Sequence, residues 1–405
     1  MDTKALIIGG GIAGLTLSGL LGKMGLETVI IDNGGLVSAE DVKRSSRTAA
    51  LMNTSLHVID AVGLKSYIRT IGTPLKQMRL KDDGNPSLPI KQVDFPANDI
   101  GLEQFGYNVP NLALKKMLQD HLKSLKSVTF LSETTLDDYL VKNNKVYALL
   151  GHGQTVTADI IIGCDGRKSK VRAGAGIAVK EQDYDQSAIT CVISHSKSHD
   201  NTSTEHHRSG GPFTIVPMEG NQSAIVWVEK TSETERLLAL PKDLFEKTIQ
   251  KNSHGIVGQI KLESNPESWP LKTLRATKLT APRVALAAEA AHVMSPIGAQ
   301  GLNLSLRDIA SLAECLIDTA RVGGDIGSHA TLHAYESRRK LDILTRVEGI
   351  DTFNKAVSNN VSLIRILRRA GLTSLDALPP LKQFIMHQGL APNMDEGRLM
   401  RGESL

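Results

Sequence analysis

Three short clusters in this 405-residue chain carry residues able to do chemistry. The first is Gly9-Gly10-Gly11-Ile12-Ala13-Gly14, a GxGxxG that follows the apolar run Lys4 to Ile8, with Asp32 closing the next apolar run, ETVIID. The glycines at 9, 11 and 14 suit, in turn, a sharp turn, close approach of a diphosphate to the backbone, and tight packing of a helix on a strand, while Asp32 stands where a carboxylate binds ribose hydroxyls. The second is Asp165-Gly166 at the end of QTVTADIIIGC, followed by Ser169 and Arg172. The third is RVALAAEAAHVMSPIGAQGLNLSLRDIASLAECL, in which a carboxylate, Glu289, ends a strand, and Pro296, Gly298, Gln300 and Gly301 form a loop that opens a helix. A glycine-bearing loop at a helix N-terminus presents backbone N–H groups to negative charge.

Each cluster sits where a strand hands over to a helix, so the elements that must position them are those of a parallel sheet. Leu302, Leu306, Ile309, Leu312 and Leu316 recur at helical spacing after the third loop. LTLSGLLGKMG reads as the helix after the first. Residues Val128 to Ile162 read as an antiparallel excursion, with turns at Asn143-Asn144 and Gly151-His152-Gly153. From Ile177 to Thr280 strand-like pieces dominate, QSAITCVISH, GGPFTIVPM and SAIVWVEK, with MEGNQS as a hairpin turn. AEDVKRSSRTAALMNTSLHVIDAVGL reads as polar and then helical. HAYESRRKLDILTRVEGIDTFNKAV and SLIRILRRAGLTSLDAL read as terminal helices, and MDEGRLMRGESL as a frayed tail.

Composition narrows the function. With 41% hydrophobic and 22% charged residues the chain is globular, and a net charge of +4 with no basic run interleaved with aromatics gives no reason to expect a nucleic-acid partner. Cys164, Cys191 and Cys315 lie far apart, without metal-ligand spacing, which fits a reducing compartment. No metal is expected: His206 and His207 are adjacent, so on a strand they point to opposite faces, and they read as a solvated pair. No apolar run is long enough to span a bilayer. ALIIGGGIAGLTLSGLLG imitates a signal peptide, but its glycines spoil the apolar helix, and a mature cytoplasmic start is expected.

The third cluster resembles the second flavin motif of the aromatic-ring monooxygenases typified by para-hydroxybenzoate hydroxylase, and its tail, PIGAQGLNLSLRD, is similar to the ubiquinone-biosynthesis hydroxylase branch. The usual opening pair is Gly-Asp; here it is Ala288-Glu289. GCDGRKSKVR resembles the DG motif of the same enzymes, RTAAL their Arg-x-Ala-Leu, and YDQSAI, GGPFTIVP and IVWVE their substrate region, so the likeness covers most of the chain.

The resemblance implies an α/β fold: a Rossmann-like FAD-binding domain with a parallel sheet (1–72, 98–176 and 281–335), an inserted antiparallel substrate domain (73–97 and 177–280), and a C-terminal helical region (336–405). It implies FAD as cofactor and NAD(P)H as transient reductant. FAD would be held by Gly9, Gly11, Ile12, Ala13, Gly14, Asp32, Arg47, Asn111, Asp165, Gly166, Glu289, Pro296, Gly301, Leu302 and Asn303. The flavin ring would be served by Pro296, Gly298, Gln300 and Gly301, with Glu289 on the ribityl chain. Read without the resemblance, Arg47 and Arg44 are equally solvated arginines, Asn111 a helix cap, Asp165 an Asx turn and His292 a structural hydrogen-bonder; Arg172 is expected to pair with a carboxylate. The implied reaction is hydroxylation of a polyprenylated phenol on the route to ubiquinone, with dioxygen and a flavin C4a-hydroperoxide. The implied partners are that hydrophobic phenol, a ubiquinone-biosynthesis complex and peripheral contact with the inner membrane. A soluble aromatic or isoprenoid substrate, and a flavin-binding scaffold of weakened activity, remain as alternatives.

Overall fold

The computed structural model describes residues 1–83, 89–208, 210–296, 299–357, 378–390 and 397–405. Gly298 of the expected ring site and SLIRILRRAGLTSLDAL, apart from its last residue, therefore lie outside the described residues.

The strand Asp2–Ile8 is the axis of the molecule. Leu6 and Ile7 are wholly buried on opposite faces, which an apolar strand allows only when helices cover both sides of a parallel sheet. Its neighbours are Thr28–Ile31 and Thr155–Gly163, both parallel, and the row continues in parallel to Val128–Leu131 on one side and Val284–Leu286 on the other. Burying one such leucine or isoleucine stabilises the fold by roughly 1.5–3 kcal/mol. The helix Ile12–Lys23 follows the first strand and is buried continuously from Ala13 to Gly22, because the helices Asn111–Leu122 and Gln300–Arg321 close over it. At the sheet edge, Leu136–Lys142 and Lys145–Leu150 form the antiparallel excursion, turning at Asn143 and Asn144, whose φ values are 51° and 55°. Two consecutive left-handed residues are what a tight hairpin demands, and asparagine tolerates them.

A second sheet of nine strands carries Val179–His195 paired antiparallel with Gln222–Lys230, and Phe213–Pro217 beyond it. One pair breaks the antiparallel pattern: Thr202–His207 runs parallel to Gln77–Asp82, which brings in the hairpin partner Lys91–Pro96. The helices Thr231–Leu238 and Lys242–Asn252, not anticipated in the sequence, cover one face through Leu237, Phe245 and Ile249.

Three further departures from expectation are informative. RTAALM is a strand, Thr48–Met52, in a separate three-stranded sheet with Gly106–Pro110 and Thr73–Leu75. The described part of the C-terminal tail, 397–405, is packed and not frayed: Leu399 and Met400 are buried, His57 Nδ1 meets the Met400 carbonyl at 2.9 Å, and Glu314 accepts the Leu399 N–H at 2.9 Å. The helix His329–Val357 runs straight through position 335, where a boundary was drawn. Among the described residues no helix is long and apolar enough to cross a membrane.

Candidate functional site

The turn after the first strand is tight enough to explain its composition. Gly9 has φ 108°, and a Cβ there would fall 2.3 Å from the Cys164 carbonyl oxygen; a Cβ on Gly14 would fall 2.0 Å from the Gly9 carbonyl oxygen. Gly14 therefore serves helix-strand packing. A Cβ on Gly11 meets nothing within 4 Å, so its missing side chain leaves open space where the helix begins. That helix has no side-chain cap and no acidic residue in its first turn, which leaves its N–H groups available to an anion.

The two later clusters converge on the same space. Asp165 accepts the Val171 N–H through Oδ2 at 3.2 Å, while its Oδ1 is buried with no hydrogen-bond partner among the described residues. Arg172, expected to find a carboxylate, instead donates to the carbonyls of Ala290 (2.8 Å) and Arg167 (2.7 Å). It thereby ties the Asp165 loop to the turn Ala288–Ala290 within the third cluster. The helix Gln300–Arg321 starts from Ala299, at φ 53°, again with no side-chain cap and no acidic residue in its first turn. A Cβ on Gly301 would also meet nothing within 4 Å among the described residues.

One cavity of about 1150 Å³ joins the three turns, lined by Gly9, Gly11, Ile12, Ala13, Asp32, Arg47, Asn111, Asp165, Gly166, Glu289, Pro296, Gln300, Gly301 and Leu302. It exceeds the range of about 300–1,000 Å³ usual for small-molecule pockets, so a long ligand and a second molecule fit together. Its far end is apolar, with Met78, Phe95 and Val216 from the nine-stranded sheet, Leu75 from the three-stranded sheet and Phe105 just before the strand Gly106–Pro110.

Other groups in the cavity refine the expectations. Asp32 accepts the Gly34 N–H at 2.6 Å and pairs with Lys115 at 3.3 Å; Lys115 also lines the cavity and was not foreseen. The guanidinium of Arg47 lies 4.1 Å from the centroid of the Trp269 ring, whereas Arg44 is exposed and paired with Glu40. Asn111 Oδ1 is buried without a partner among the described residues. Glu289 is on the cavity rim, exposed, and paired with Arg167 at 3.3 Å. Ala288 takes φ 57°, a left-handed conformation that accounts for the glycine usual at this position. Asn303 does not line the cavity. It accepts the Met52 N–H at 3.0 Å and donates to the carbonyls of Ala50 and Ala299, both at 2.8 Å, so it clamps the helix to the strand Thr48–Met52.

Behind the third loop lies a buried ionic chain. Asp308 meets His292, Arg339 and the Ala288 N–H; Asp342 meets Arg339, Arg307 and Arg346; and Arg346 donates to Gln300 Oε1 at 2.9 Å. Burial works to raise the Asp308 carboxyl, but His292 and Arg339 outweigh it and hold it below the usual carboxylate range. Gln300 is thus positioned by Arg346, 46 residues downstream on the helix His329–Val357.

His206 and His207 are not a solvated pair. His206 is wholly buried on the helix-covered face of its strand, and His207, buried on the other, meets Glu205 at 2.8 Å. The structure also brings Asp83 and His254 to His206, a grouping that no spacing in the sequence announces.

An extended dinucleotide fits these residues. Two uncapped helix N-termini, two open glycines and two unpartnered buried oxygens face one space, the complement of a molecule with a diphosphate, hydroxyls and ring N–H groups. The family model for the FAD binding domain matches residues 2–349. The chain is 32% identical to ubiquinone hydroxylase UbiL of Rhodospirillum rubrum over 99% of its own length and 93% of the relative. It is 24% identical to 3-demethoxyubiquinol 3-hydroxylase of Escherichia coli, over 96% and 98% of the two chains. Among solved structures, p-nitrophenol 4-monooxygenase PnpA of Pseudomonas putida shares the fold with a TM-score of 0.79 at 17% identity, covering 96% of this chain and 98% of that one. Sequence, fold and cavity thus agree that the chain belongs to the FAD binding domain family and is an FAD-dependent monooxygenase.

Proposed function

We propose that the protein hydroxylates the aromatic ring of a polyprenylated phenol in ubiquinone biosynthesis, taking electrons from NAD(P)H and oxygen from dioxygen. The observation that carries this reading is the continuous cavity that runs from the glycine turn, past Asp165 and Gly301, to an apolar end between the nine-stranded and three-stranded sheets. Relatives named for ubiquinone hydroxylation, matched along nearly their whole length, supply the substrate class.

In this reading Gly9, Gly11, Ile12 and Ala13 hold the diphosphate of FAD by their backbone, Asp32 the ribose, and Arg47 and Asn111 the neighbouring phosphate and adenosine groups. Asp165 and Gly166 receive the middle of the molecule, Glu289 stands at the ribityl chain, and Pro296, Gly298, Gln300, Gly301 and Leu302 meet the flavin ring. Asn303 acts one step back, as the clamp that sets the loop. The cofactor, when bound, supplies the electron transfer and the activation of dioxygen. The protein's residues do the rest: the N–H groups at Gln300 and Gly301 face the charge that develops on the pyrimidine side, and the apolar wall keeps water from the reacting ring. No side-chain nucleophile is assigned. Segments 1–72, 98–176 and 281–335 would form the cofactor-binding part, 73–97 and 177–280 the substrate part, and 336–405 the helical cover. A substrate of this kind is nearly insoluble, so we also infer peripheral contact with the inner membrane or with a ubiquinone-biosynthesis complex.

The test is metabolite analysis of a strain lacking this protein, together with NAD(P)H oxidation by the purified enzyme. Accumulation of a prenylphenol short of one hydroxyl, and oxidation coupled to a product one oxygen heavier, are expected. Coupled hydroxylation of a soluble aromatic alone, or a yellow protein that hydroxylates nothing, would replace this reading with one of a soluble substrate or of a scaffold.

A further inference from the structure

On the helix-covered face of the second sheet, away from the flavin cavity, three side chains from separate parts of the chain meet. Asp83 directly follows the strand Gln77–Asp82, His206 lies on Thr202–His207, and His254 follows the helix Lys242–Asn252. One ligand atom from each lies within 4.8 Å of the others. The strand alternation that sends Ser203 and Glu205 to the cavity sends His206 to the opposite face, so the cluster does not touch the flavin site.

Hydrogen bonding accounts for only part of this cluster. His206 is wholly buried, and neither ring nitrogen has a hydrogen-bond partner among the described residues. Its Nδ1 stands 3.4 Å from Asp83 Oδ2 without hydrogen-bond geometry, and Asp83 Oδ1 is likewise buried and unpartnered. A buried polar atom left in that state is costly, and each such atom calls for an explanation. His254 reaches the same carboxylate oxygen, Asp83 Oδ2, at 2.8 Å from Nε2, and the two imidazoles lie 5.3 Å apart at an interplanar angle of 22°.

Two imidazoles aimed at one carboxylate are a transition-metal donor set. Zn²⁺ takes nitrogen and oxygen donors at about 2.0–2.1 Å in a tetrahedron, which sets donor-donor separations of roughly 3.3–3.5 Å. The 3.4 Å between His206 and Asp83 already has that value. The 2.8 Å contact must open by about half an ångström, and His254, on a part-exposed loop, is the side chain free to do it. We propose that Asp83, His206 and His254 bind one Zn²⁺ ion, with water as the fourth ligand, as a structural clasp between the sheet edge and the loop after Asn252.

Two cations bear on the site, Lys81 and Arg208. Arg208 is engaged by Glu229 at 3.5 Å and lies over the Trp227 ring, which limits its opposition. With three protein ligands and an open position, the site would bind Zn²⁺ reversibly and could be emptied by chelation.

The test is calorimetric titration of Zn²⁺ into the tag-free, flavin-loaded protein after chelator treatment, with the melting temperature followed in parallel. One equivalent is expected to bind, and the melting temperature to rise by about 3 °C at a hundredfold excess over Kd. His254→Asn, which keeps a residue tolerant of the left-handed backbone at φ 49°, should weaken binding at least tenfold. His333→Ala, which removes the other stacked histidine pair at 5.8 Å, should leave it intact. The proposal is overturned if no stoichiometric binding occurs, or if His254→Asn retains full affinity while His333→Ala loses it.

Discussion

His292 and Asp308, both buried, meet at 2.6 Å between Nε2 and Oδ2, and that same oxygen accepts the Ala288 N–H at 3.0 Å. One carboxylate thus holds the turn that leads into the flavin loop, while its other oxygen anchors Arg339 on the helix behind. Replacing Asp308 by Asn should leave Arg339 partly uncompensated, and removal of one partner from a buried pair costs about 3–5 kcal/mol. Chemical denaturation of the variant measures that loss. A change below about 1 kcal/mol would mean that the network contributes little.

The same network sets the acid limit. Asp308 and Asp342 are held below the usual carboxylate range, against burial, by the cations around them. A depressed folded-state value means that the stabilisation is complete above the unfolded value of about 3.9 and is lost as pH falls below it. Melting temperature should therefore be steady with respect to these two groups from neutrality to about pH 5 and fall steeply below about pH 4. Asp342→Asn should show a shallower acid limb, and an unchanged slope would assign the acid sensitivity elsewhere.

Ala288 bears the strain of a left-handed backbone at φ 57°, worth about 1–2 kcal/mol for a residue with a Cβ. Ala288→Gly relieves it, at the cost of about 0.5–1 kcal/mol of chain entropy. A net gain of about 0.5 kcal/mol in unfolding free energy is expected. A loss would show that packing of the buried methyl outweighs the strain.

Trp269 carries the Arg47 guanidinium at 4.1 Å from its centroid, beside the glycine turn. A cation-π contact of this kind contributes about 0.5–2 kcal/mol, so Trp269→Ala should weaken FAD binding by roughly 3- to 30-fold through a less well-held arginine. Fluorescence titration of the apoprotein with FAD reads this directly, and an unchanged Kd would remove Arg47 from the cofactor's surroundings.

What could be read from the sequence follows the range of the interactions. The glycine turn with Asp32 and the Asn143-Asn144 hairpin are local, and a few neighbouring residues dictate them. The strand Thr48–Met52 was missed because its partners, Gly106–Pro110 and Thr73–Leu75, come from distant segments and its short apolar run fits a helix equally well. Asn303 was assigned to the cofactor because its position in the motif is visible, while its partners in the strand Thr48–Met52, about 250 positions earlier, are not. Lys115 carries no motif and becomes notable only once Asp32 stands beside it. The buried tail and the Asp83–His206–His254 grouping were hidden for the same reason.

Gly11 and Gly301 offer the most direct test of the claim that one long cofactor bridges the separated turns. A Cβ at either position meets no atom of the described residues within 4 Å, so added bulk there is directed into the open cavity, where the cofactor would lie. The measurement is FAD affinity of Gly11→Val and Gly301→Val against the parent, with the melting temperature of each apoprotein. Affinity reduced tenfold or more in both variants, with melting of the apoprotein unchanged, is predicted. Full affinity in either variant would contradict a single FAD lying across both turns.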